Sequence, residues 1–68
     1  MNKFEQYSMA SATRQRLIAI DQQQDLPRNN RAKLLADIIY LGETVKQLAA
    51  GRRIHSDKLR AVVSYWLS

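Results

Sequence analysis

The chain has 68 residues, no cysteine, one histidine and a net charge of +5. That length holds a single small domain, 1–68, without disulfides, and one His alone cannot hold a structural metal. No apolar run of about 18 residues is present to span a bilayer, and the first stretch, MNKFEQYSMASATRQR, lacks the apolar segment of a secretory signal, so the expected location is cytoplasmic.

Residues 1–7 read as loosely ordered, with Phe4 and Tyr7 able to fold back onto a core. A first helix is predicted from about residue 8 to residue 23. Ala10, Thr13, Leu17 and Ile20 share one face at three- and four-residue spacing, with Ile18 beside them. Ser8 and Ser11 are candidate N-caps. Arg14 and Gln15 interrupt the middle, and Gln22, Gln23 and Gln24 are polar all round, so this helix reads as the weakest.

The stretch Asp25-Leu26-Pro27-Arg28-Asn29-Asn30 is a break: Pro27 biases Leu26 away from helical geometry, and Asn29 or Asn30 can cap the next helix. That central helix, residues 27–50, carries Leu34, Ile38, Leu41, Val45 and Leu48 at intervals of 4, 3, 4 and 3. Such spacing keeps a narrow apolar seam on one side of a helix, and β-branched Ile38 and Val45 alternating with Leu favour pairing of two strands. Leu35, Ile39 and Ala49 widen the seam to a core-facing stripe. Gly42 interrupts the helix at a cost of about 1 kcal/mol relative to Ala. Gly51 supplies the left-handed position that ends it.

A third helix starts at Ser56, with Asp57 in its favourable first turn. Leu59, Val62, Val63, Trp66 and Leu67 follow the i, i+3, i+4, i+7 pattern. A helix this short must dock to persist. The expected fold is all-α: a three-helix small domain whose second and third helices form a C-terminal helical hairpin, with the first packed less tightly. A homodimer is expected through the seam, with Tyr40 at its edge as a further interface residue.

Charge is unevenly spread. Residues 1–26 balance, whereas residues 27–60 carry Arg28, Arg31, Lys33, Lys46, Arg52, Arg53, Lys58 and Arg60 against Asp37, Glu43 and Asp57. A localised basic excess suits nucleic acid or an acidic protein surface. Arg28 and Arg31 occupy a helix start, where the macrodipole disfavours cations and free N–H groups favour anions. Residues 43–60 also resemble a helix-turn-helix, with Lys58 and Arg60 placed for groove contacts.

Nothing here calls for catalysis, a metal, a cofactor or a small-molecule substrate. His55 lies in a polar turn, and no carboxylate pair, phosphate loop or metal-ligand cluster is spaced for chemistry.

Residues 29–48, NNRAKLLADIIYLGETVKQL, with a turn and a short apolar helix after them, resemble the YmgB/AriR family of small biofilm and acid-stress regulators, which includes connectors to two-component phosphorelays. The likeness lies in the Asn-Asn opening, the Leu-Leu-x-x-Ile-Ile-x-Leu run and the terminal helix. This chain differs in being strongly basic and in its longer turn, residues 49–55. The resemblance implies an all-α dimer that regulates transcription through protein contacts or DNA binding. The functional expectation is thus a small non-enzymatic regulatory protein acting on transcription or signalling through a protein partner. The alternative is a basic dimeric DNA-binding regulator using Arg28, Arg31, Lys33, Arg52, Arg53, Lys58 and Arg60.

Overall fold

The structure is a computed structural model that describes residues 2–23 and 28–67, apart from the side chains of Arg28 and Asn29. Among these residues the chain is all-helical, with α1 spanning Lys3–Gln23, α2 Arg28–Ala49 and α3 Ser56–Leu67, and no strand. The Asp25-Leu26-Pro27 break lies outside the described residues.

α1 begins five residues earlier than the spacing of its apolar residues suggests. Asn2 is the reason: its side-chain carbonyl accepts the Glu5 N–H at 2.8 Å, and its backbone carbonyl accepts the Gln6 N–H at 3.0 Å. An Asn cap with Glu three residues later also places an acid in the positive first turn. Residues 3–7 are therefore helical, but Phe4 and Tyr7 do not fold back: both remain exposed. Ser8 and Ser11 lie inside the helix, not at its start.

α2 is already helical from Arg28, so Asn29 and Asn30 lie in its first turn. Its end matches the sequence. Gly51 adopts φ 80°, its N–H donates to the Leu48 carbonyl at 3.0 Å, and Arg52 N–H donates to the Gln47 carbonyl at 2.9 Å. These two bonds form a Schellman cap. Lys3 adds its ammonium to the Gly51 carbonyl at 2.8 Å, a cation where the helix dipole is negative.

The core draws on all three helices: Ala10 and Leu17, Leu34 and Leu41, Leu59 and Val62. α1 makes the most extensive backbone approach to α2 and a second one to α3, while α3 enters the same core beside Leu34 and Leu41 through Leu59 and Val62. Ala10 and Thr13 sit fully buried in the middle of α1, and Gly42 of α2 leaves room for the Arg14 side chain, whose Nε lies 3.4 Å from the position of an ideal Cβ. α1 packs on both other helices, so it is the central packing element, not the loose one.

α2 and α3 are joined in addition by polar side chains along one flank of α2. Lys33 Nζ lies 4.4 Å from the Tyr65 ring centre, and Lys58 Nζ lies 4.4 Å from that of Tyr40. Between these cation–π contacts, Trp66 Nε1 donates to Asp37 Oδ2 at 2.7 Å. Leu67, placed on the docking face by its spacing, is 45% exposed at the helix end.

Gly42 tests the helix arithmetic directly. Its added methyl would meet only the flexible Arg14 side chain, at ordinary contact distance. Gly42→Ala should raise the unfolding free energy by about 0.5–1 kcal/mol, read as a higher urea midpoint with an unchanged slope.

Candidate functional site

The three flanks of α2 have different fates, and these define the site. Leu34, Leu41 and Leu48 are buried within the single chain, while Ile38 and Val45 pack at the edge of the same core. The seam expected to face a second copy is thus covered by α1 and α3. A dimer through it would require the domain to open. Tyr40, the sixth residue assigned to the interface, is half-buried beneath Lys58.

The flank beyond Ile38 is left outside. By spacing, Leu35, Ile39 and Ala49 should widen the buried stripe, yet all are exposed, Ile39 to 67%. The reason is angular. α1 occupies the side of α2 marked by Arg31, Ile38 and Gly42, α3 the side marked by Lys33, Asp37 and Tyr40, and neither reaches as far round as Ile39. What results is an open groove lined by Ser11 and Arg14 of α1 and by Ile38, Ile39, Gly42 and Lys46 of α2. Its lining is largely apolar with charged rims, the composition of a protein-contact surface.

The basic residues do not form one patch. Roughly 22 Å of helix rise separates Arg31 from Lys46. At the start of α2, Arg31 faces Asp21 of α1 at 3.3 Å, and Lys33 donates to Asp37 at 3.0 Å. The anion expected near this helix start is therefore met, for Arg31, by the chain's own Asp21. Arg28 belongs to the same end by sequence, and its side chain lies outside the described residues. At the opposite end Lys46 and Arg52 line one shallow depression, Lys3 and Arg53 a second, and Arg53 and Lys58 a third. Arg52, Arg53 and Arg60 are exposed, and Lys58 lies over the Tyr40 ring. Lys3 joins this end only through the fold.

Three polar residues escape a reading by periodicity. Gln6 is buried and donates through Nε2 to Ser56 Oγ at 2.7 Å, tying the start of α1 to the start of α3. Asp37 is buried as the acceptor for Trp66 and Lys33. Thr44 is buried with its hydroxyl donating to the Tyr40 carbonyl at 2.9 Å. The faint signal for Asp37 is its position on the α3 side of the seam, four residues after Lys33.

The described residues contain no cluster of metal-ligating side chains, and no helix among them is long and apolar enough to cross a membrane. His55 is exposed in the turn. No protein-family model, curated protein or solved structure matches this chain. The groove and the basic end are the two surfaces from which function has to be argued.

Proposed function

We propose that this chain is a small cytoplasmic regulatory protein that modulates transcription or signalling by binding another protein, with no chemistry of its own. One observation carries the reading: the α1–α2 face exposes Leu35 and Ile39 beside a groove that the described residues leave unfilled. Large aliphatic side chains gathered along one uncovered face mark contact sites more often than isolated ones do. The YmgB/AriR resemblance of residues 29–48 supports the same class. Affinity capture from nuclease-treated lysate is the test. A stoichiometric protein held by the wild type and released by Ile39→Glu is expected, and recovery of nucleic acid alone would remove the reading. Sedimentation equilibrium at high micromolar concentration decides separately whether a homodimer forms.

A second reading, direct binding to duplex DNA, is favoured by the gathering of Lys3, Lys46, Arg52, Arg53 and Lys58 at one end. Four or five phosphates neutralised there would give a slope of log affinity against log salt of roughly −4. Replacing Arg52 and Arg53 together by Ala should flatten that slope by about two without unfolding the chain, because both side chains are exposed in the turn. No binding at low salt would leave the protein-contact reading alone.

A further inference from the structure

The groove has a shape and a charge that specify its occupant. Along α1, Tyr7, Ser11, Arg14 and Ile18 are spaced 4, 3 and 4, and along α2 so are Leu35, Ile39, Gly42 and Lys46. Each row therefore forms a ridge about three helical turns long. At Gly42 the absent side chain leaves room for Arg14 to lie across the groove, its Nε 3.4 Å from the position of an ideal Cβ. Arg14 stands on one wall and Lys46 on the other. Neither has a carboxylate partner among the described residues, and Glu43 is the one acid in the lining.

We infer that this groove docks an acidic amphipathic helix of another protein. Apolar side chains at i, i+3, i+4 and i+7 of that helix lie against Ile38, Ile39 and Gly42, and carboxylates on its two flanks meet Arg14 and Lys46. A second copy of this chain is the poorer occupant. Each copy carries +5, and pairing the two faces would set two Arg14 and two Lys46 against only two Glu43. The inference rests on the protein-contact reading and adds the chemistry of the partner.

The test is a displayed library of helices about 20 residues long, with Leu fixed at the i, i+3, i+4 and i+7 positions and flanks randomised among Glu, Lys and Gln, selected against the full chain. Enrichment of Glu on both flanks is expected, with binding of the selected peptide weakened about tenfold or more by Ile39→Glu and by Arg14→Glu combined with Lys46→Glu. Gly42→Gln, which crowds Arg14 and narrows the groove without adding charge, should weaken it too, with circular dichroism checking that each variant stays folded. Ile39-dependent helices without an acidic bias would overturn the partner's charge while leaving a protein-docking groove. Selected helices that bind Ile39→Glu unchanged, or no selected helix at all, would overturn the groove as a docking site. A wild-type dimer that Ile39→Glu dissociates would assign the face to a second copy instead.

Discussion

Leu17→Ala is expected to lower the unfolding free energy by about 3 kcal/mol, the middle of the range for truncating a fully buried leucine. Leu17 is completely buried on α1, in the cluster formed with Leu34, Leu41, Leu59 and Val62. A domain this small has a total stability of about 3–10 kcal/mol, so the variant should lose about a third or more of it. The control is Phe4→Ala, which removes a larger side chain from the same helix. Phe4 is 78% exposed, and its loss should change stability by no more than about 0.5 kcal/mol. Urea unfolding monitored by circular dichroism measures both. Equal and small losses would mean that α1 is not docked and that it is not the central packing element.

Asp37→Ala should cost about 2 kcal/mol, a large effect for a polar residue on a helix flank. Its carboxylate oxygen Oδ2 accepts from Trp66 Nε1 at 2.7 Å and from Lys33 Nζ at 3.0 Å. Removing it leaves the indole N–H of a half-buried ring without its acceptor and unpairs Lys33, at about 1–3 kcal/mol for the lost charged hydrogen bond. Trp66 also stacks edge-on against Tyr65, with ring centres 5.0 Å apart and planes at 75°, so its displacement loosens the end of α3. Because Trp66 is the sole tryptophan, its fluorescence reports on the surroundings of this one ring, and the emission of the variant should shift to longer wavelength. Asp37→Asn keeps an acceptor and loses only the charge, so its cost should be about half as large. An unchanged midpoint together with unshifted emission in Asp37→Ala would show that the clasp between α2 and α3 contributes nothing.

Periodicity, capping and glycine chemistry make three helices legible in the sequence. The face of α1 formed by Ala10, Thr13 and Leu17, the stop at Gly51 and the docking residues Leu59 and Val62 all come from spacing or from backbone stereochemistry, which are local properties. The early start of α1 is legible too, in Asn2 and Glu5, but a search for apolar residues passes over a cap made by polar ones. No local rule says which helix covers which flank of α2. Leu34 and Ile39 are both aliphatic residues on the same helix, yet one is the centre of the core and the other is two-thirds exposed.

For the candidate site, the residue types are readable but their grouping is not. The basic block of residues 27–60 is continuous in sequence and divided in space, because a straight helix carries Arg31 and Lys46 to opposite ends of the molecule. Lys3, from the electrically balanced first third of the chain, joins the far end by bonding to Gly51. By itself the sequence determined that there are three helices, that Leu34, Leu41 and Leu48 form an apolar seam, and the total charge, since each depends only on residues within a few turns of one another or on a count. The tertiary structure alone decided that α1 and α3 cover that seam, that Leu35 and Ile39 remain outside beside Arg14 and Lys46, and that Asp37 is a buried acceptor. Those outcomes depend on which helix faces which flank of α2, a relation between residues far apart in sequence that no local pattern specifies.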